Sequence, residues 1–161
     1  MAIVSFDVIE HLEKYEEYVE NILKLLKPDG MLIIGCPNRL ELFNWNKEWN
    51  PFHFQEFSPY QMKRLLTKYF DEVKMGGQDF VSQDKREILR KMNLGLYREE
   101  IRKKRPFFLI RPFVNKRNYL PEHLKIKLSH EDISIKMEPG EDILNKSFGI
   151  VAVAKQPKAN L

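Results

Sequence analysis

The sequence predicts an α/β fold, and three observations carry that expectation. Ala2-Ile3-Val4-Ser5-Phe6 and Met31-Leu32-Ile33-Ile34-Gly35-Cys36 are apolar runs of strand length, too short for buried helices. Between them Leu12, Tyr15, Val19, Ile22, Leu23 and Leu26 recur at steps of three and four, the spacing of one helix face. A second helix and strand follow, and an apolar run near the C-terminus, Ser147 to Lys155, is available to pair with that strand.

Taken in order, the first run reads as a buried strand, with Asp7, Glu10 and His11 falling where it gives way to a helix. Ligands bind at such carboxyl ends in open α/β sheets, because the loops there border a crevice. The helix carries its acids (Glu13, Glu16, Glu17, Glu20) early, where the helix dipole favours them. Lys27-Pro28-Asp29-Gly30 ends it, since proline cannot extend the ladder and Asp-Gly turns. Met31 to Cys36 is uninterrupted apolar sequence, as expected of a strand covered on both faces. Strand, helix and strand form one right-handed crossover unit. Pro37-Asn38 stops the second strand, and a long loop with Phe43, Trp45, Trp49, Phe52 and Phe54 runs to Phe57; loops of that length usually bind something. Ser58-Pro59-Tyr60-Gln61 starts a helix, with serine as N-cap, proline at the first position and glutamine placed for a capping box. Asp71 to Met75 alternates as a half-buried strand closed by Gly76-Gly77. Gln83 to Lys104 reads as helical, Leu124 to Ile135 as a further strand or hairpin, and Lys155 onward as a frayed tail.

Composition sets outer limits. A chain of 161 residues, 43% hydrophobic and 31% charged, has the balance of one soluble globular domain. No run approaches a membrane-spanning length, and no export signal is expected at the N-terminus, so the cytoplasm is the expected compartment. The single Cys36 supplies neither a disulfide nor a thiolate cluster. Charge is uneven: residues 1–78 carry 9 Lys/Arg against 12 Asp/Glu, whereas residues 85–127 carry 14 Lys/Arg against 4 Glu. An acidic first half is followed by a basic insert.

Ile3-Val4-Ser5-Phe6-Asp7-Val8-Ile9-Glu10-His11-Leu12, Leu25-Leu26-Lys27-Pro28-Asp29-Gly30-Met31-Leu32-Ile33-Ile34, Pro37-Asn38 and His53-Phe54-Gln55-Glu56-Phe57-Ser58-Pro59 together resemble the second half of class I S-adenosylmethionine-dependent methyltransferases. The resemblance covers residues 2–78 and 147–155. It implies a Rossmann-like sheet of which this chain holds strands four, five, six and seven, as a single partial domain with an insert over 79–145. That family's cofactor site opens with a glycine-rich turn and an acid for the ribose; none of the 7 glycines here stands in a G-x-G arrangement. The expectation is therefore a methyltransferase fragment with S-adenosylmethionine as cofactor, inactive alone, acting on a small-molecule acceptor or a glycan or lipid precursor. The alternative is a non-catalytic binding module that meets an anionic partner through its insert.

Candidate site residues follow from the chemistry. Methyl transfer to oxygen needs a group that accepts the acceptor's proton, and histidine suits that task at neutral pH; His11 is the candidate catalytic residue. Ser5, Phe6 and Asp7 are the expected cofactor contacts; Glu10, Asn38 and His53, the last brought in by the loop after the second strand, are the expected acceptor contacts. No metal is assigned, but Asp7, Glu10, His11 and His53 would be the ligand set for a divalent cation, since some relatives carry Glu-x-x-Glu-His here. Cys36 reads as an inert small hydrophobe. The insert admits a solvated helix face, a lid over an anionic acceptor, or a peripheral membrane contact through Arg105 to Arg117; no RNA-reading motif accompanies its bases. Partner expectations are completion of the sheet by an N-terminal half, or a homo-oligomer through an exposed strand edge.

Overall fold

The structure, a computed structural model, describes residues 1–41, 53–87 and 130–158. Its sheet-bearing unit comprises Met1–Asp79 and Ser134–Leu161, and Phe80–Ile133 forms a second unit. The apolar runs become β1 (Ala2–Phe6), β2 (Met31–Pro37) and β5 (Gly149–Pro157), joined by β3 (Phe70–Phe80) and β4 (Ile133–Met137). The strand order is β1-β2-β5-β3-β4. β1 runs parallel to β2, with Ala2 opposite Met31 and Phe6 opposite Gly35. β5 is antiparallel to both β2 and β3. The α/β class and the pairing of β3 with the C-terminal run are borne out.

Register decides which side chains meet. Ile3 and Ser5 share a face with Leu32, Ile34 and Cys36, and through β5 with Ala154, Ala152 and Ile150. Helices α1 (Tyr15–Leu25) and α2 (Pro59–Tyr69) supply Val19, Ile22, Met62, Leu65, Leu66 and Tyr69 to the same buried cluster. The helices lie side by side: Lys68 Nζ donates to Glu16 Oε1 at 2.6 Å and the Tyr69 hydroxyl to Glu20 Oε1 at 3.3 Å. Burial, with a further push from Glu20, raises the Tyr69 phenol above its ordinary range.

α2 begins as its sequence dictates. Ser58 Oγ accepts from Gln61 N at 3.2 Å and Gln61 Oε1 accepts from Ser58 N at 2.9 Å, the reciprocal capping box. Ser58→Ala is expected to cost about 1 kcal/mol, read as a lower urea midpoint with an unchanged m-value.

Several expectations are corrected. β1 is an edge strand among the described residues, as the exposed strand edge expected from the sequence requires, but it is buried on one face only: α1 covers its Ile3/Ser5 side, and Val4 is 62% and Phe6 37% exposed. β2 has one buried face (Leu32, Ile34, Cys36), with Met31 and Ile33 half-buried on the other. β3 does not close at Gly76-Gly77 but continues to Phe80. The glycines serve close approach, since a Cβ on Gly77 would stand 2.1 Å from Ser147 Oγ. Lys155 to Pro157 is strand rather than tail, paired with Met31, Glu72 and Phe70, and Lys158 N donates to Tyr69 O at 3.0 Å. A short α3 (Glu141–Lys146), absent from the sequence expectations, precedes β5. The extra strand lies at Ile133–Met137, and β4 and all of α3 but Lys146 fall inside the span read as insert.

In the second unit residues 83–87 are helical, and Lys85 pairs with Asp132. The expected helix beyond residue 87, the start of the extra strand, the loop aromatics Phe43, Trp45, Trp49 and Phe52 and nearly all of the basic insert lie outside the described residues. Among the described residues no helix is long and apolar enough to cross a membrane.

Candidate functional site

The site is built where β1 ends. Asp7 turns the chain with φ of 53°, a left-handed conformation that aspartate tolerates better than most residues, and its N–H donates to Gly35 O at 3.0 Å. A single 3-10 turn, Ile9–His11, follows. Ile9 is fully buried and anchors this turn in the core. Its neighbours are placed accordingly: the Glu10 side chain is 2% exposed and that of His11 is 45% exposed.

The Glu10 carbonyl organises the next piece of chain. It accepts from Phe54 N at 2.8 Å and from Gln55 N at 3.2 Å. On the other side Arg39 N donates to Phe57 O at 2.9 Å, and Phe57 forms an isolated bridge with Asn38. Phe57 is buried with its ring edge-on to Tyr15, centroids 5.3 Å apart. So held, the segment brings His53 edge-on to His11, with ring centroids 4.9 Å apart and planes at 77°. His53 Nδ1 lies 3.2 Å from Glu56 Oε1, and both side chains are about nine-tenths buried.

Electrostatics single out Glu10. Burial raises its carboxyl above the ordinary range, and Asp7 adds to that; the Glu10 backbone N–H, His11 and His53 pull the other way. Glu10 Oε2 is buried with no hydrogen-bond partner among the described residues, which in a native fold calls for an explanation such as a catalytic role or a bound ion. One donor atom each from Glu10, His11 and His53 lies within 4.8 Å of the other two. Two imidazoles and a carboxylate suit a transition metal or zinc, and the same trio suits proton transfer. Asp7 stands outside this group.

Residues 2–72 match the model of a methyltransferase domain family. A probable S-adenosylmethionine-dependent methyltransferase of Mycolicibacterium smegmatis is 33% identical over 74 residues, covering 45% of this chain and 28% of the relative. One of Mycobacterium tuberculosis is 33% identical over 79 residues, covering 47% and 28%. A ubiquinone biosynthesis O-methyltransferase of Rickettsia conorii is 27% identical over 85 residues, covering 45% and 29%. Over this stretch the chain is similar to S-adenosylmethionine-dependent methyltransferases. The aligned part spans little more than a quarter of the length of these relatives.

Within this fold the residues expected to form the site are distributed unevenly. Glu10, His11 and His53 come together. Phe6 and Asp7 stand exposed at the end of β1, and Phe6 lies across Gly35, where a Cβ would come within 2.5 Å of the ring. Ser5 is turned the other way, toward α1, with Oγ 2.8 Å from the Tyr18 hydroxyl. Asn38 is fully buried, and its Nδ2 faces the carbonyls of Leu144, Asn145 and Ser147 at 3.2, 3.1 and 2.9 Å. Phe54 is 63% exposed. Burial, followed by the Glu10 and Asp7 carboxylates, pushes the Cys36 thiol well above its ordinary range; such a thiol stays protonated and inert. Glu56 is the polar residue that sequence reading passed over as a site residue. The signal was the His-x-x-Glu spacing of His53 and Glu56, which lets imidazole and carboxylate meet across one turn.

Proposed function

We propose that this chain supplies the acceptor side of a methyl-transfer site acting on a hydroxyl of a small molecule or of a glycan or lipid precursor. The supporting observation is the cluster of Glu10, His11 and His53 at the C-terminal end of β1, where open α/β sheets place their ligands. On this reading β1, β2, β3 and β5 are strands four, five, six and seven of the family's sheet. S-adenosylmethionine, when bound, supplies an electrophilic methyl on a positively charged sulfur. Phe6, with an exposed ring, and Asp7, with an exposed carboxylate, are this chain's contribution to holding it; Ser5, engaged with Tyr18, is not. The imidazole pair takes the proton that the acceptor hydroxyl loses. Glu10, drawn inside beside the imidazoles, opposes the positive charge that then forms on them.

Nuclear magnetic resonance titration of the chain with S-adenosylhomocysteine tests this. Shifts at Phe6 and Asp7 at millimolar ligand are expected. Shifts confined to other parts of the chain, or none, would overturn the reading in favour of a non-catalytic binding module. Calorimetry is expected to give a Kd weaker than micromolar, because the 161 residues contain no glycine-rich phosphate- or ribose-side turn. Submicromolar binding would contradict that expectation.

A further inference from the structure

We infer that Glu56 is a positioning residue that fixes His53 as the proton acceptor of this site; the inference rests on the methyl-transfer reading above. A base is useful only if its lone pair is presented in a set direction, and an imidazole has two nitrogens that compete for one proton. Glu56 decides the competition. Its Oε1 lies 3.2 Å from His53 Nδ1, and a carboxylate oxygen accepts a hydrogen bond but gives none. The neutral ring therefore carries its proton on Nδ1, and Nε2 keeps the lone pair.

The orientation is held from several directions. The two side chains are 7% and 10% exposed. The Glu10 carbonyl accepts from the two N–H groups that follow His53, and the Ser58–Gln61 capping box fixes the chain immediately after Glu56. Ring contact with His11 sets the remaining edge. His11 is differently placed: its Nε2 stands 4.0 Å from Glu10 Oε1, beyond hydrogen-bond reach, and its side chain is 45% exposed.

In the step itself the acceptor O–H bond breaks and its proton moves to His53 Nε2. The oxygen's electron pair forms the new bond to the methyl carbon, and the pair of the broken sulfur–carbon bond stays on sulfur. The imidazolium that results faces the Glu56 carboxylate at once, which stabilises it where water is largely excluded.

The test reads the tautomer directly. Long-range nitrogen-15 spectra of the full chain at about pH 8, above the ordinary imidazole range, are expected to show His53 with a protonated Nδ1 and a bare Nε2. Glu56→Ala is expected to shift the ring toward the Nε2–H form, and Glu56→Gln, whose amide oxygen can still accept, to restore the Nδ1–H form. Where methyl transfer is measured, Glu56→Gln is expected to lower kcat by about 10²-fold with the acceptor KM unchanged. An Nε2–H tautomer in the unmutated protein would overturn the inference whether or not the variants fold. So would a tautomer that ignores Glu56→Ala. Stoichiometric zinc or manganese in the purified protein, lost in His53→Ala, would make Nε2 a metal ligand and overturn it equally. An Nδ1–H tautomer without any S-adenosylhomocysteine response at Phe6 and Asp7 would instead sink the methyl-transfer reading.

Discussion

Asn38→Ala is expected to destabilise the sheet-bearing unit by about 3 kcal/mol or more, the largest effect of any single truncation near the site. Asn38 Nδ2 is shared among three carbonyls at the end of α3, and Oδ1 accepts from Leu40 N at 3.1 Å. The residue is completely buried, so truncation leaves those groups without a replacement partner, at about 1–3 kcal/mol for each one left unsatisfied. Its backbone also takes part, since Asn38 N donates to Phe148 O and Asn38 bridges Phe57. Loss of the side chain should loosen both the entry to β5 and the segment that carries His53 and Glu56. Asn38→Asp should be as damaging, because it sets a carboxylate against carbonyl oxygens. Urea unfolding with an unchanged m-value measures the cost. An effect below about 1 kcal/mol, within the range of an ordinary substitution, would contradict the argument.

That role for Asn38 marks where the sequence stopped being legible. An asparagine directly after a buried strand reads as a pocket residue, because strand ends line ligand sites. What occupies its amide is α3, more than a hundred residues away in the chain, and α3 has little sequence signature. It is six residues long, starts at Gly140 without a side-chain cap and buries none of its residues. By contrast β2, α1 and α2 were readable because their signals are local: an apolar run, a helical stripe, a capping box. β1 was half readable. Its apolarity predicts a strand, but apolarity alone does not say which neighbours cover it, and α1 covers only the Ser5 side. Gly76 and Gly77 misled for a related reason. Glycine pairs usually end strands, whereas here the missing Cβ admits Met137 and Ser147 beside a strand that continues. At the site itself, the strand-end cluster of Glu10 and His11 was visible from position, and His53 from resemblance. Burial of Glu10 was not, since it follows from Ile9 taking the core position beside it.

Glu10→Gln is expected to make the protein more stable at neutral pH while impairing whatever the cluster does. Burial raises the folded-state pKa of Glu10 above its ordinary value of 4.5, so folding favours the protonated form. Below about pH 4.5 the carboxyl is neutral in both folded and unfolded chains and carries no penalty. As pH rises through the raised folded value, the folded protein must ionise a carboxylate whose Oε2 has no partner among the described residues, and stability falls relative to a variant that stays neutral. The gap in melting temperature between Glu10→Gln and the unmutated protein should thus be widest at neutral pH. There it should reach about 1 kcal/mol, roughly 2–4 °C for a chain of this size, and close as pH falls through the raised value. Thermal unfolding followed by circular dichroism in chelator-treated buffer measures it, since a bound cation would neutralise the same carboxylate. A gap constant with pH, or a variant less stable at every pH, would mean that the buried charge is not what strains this turn. A gap that opens as described, together with loss of the S-adenosylhomocysteine response or of methyl transfer, would mean that Glu10 is kept ionised at a cost in stability because the site requires its charge.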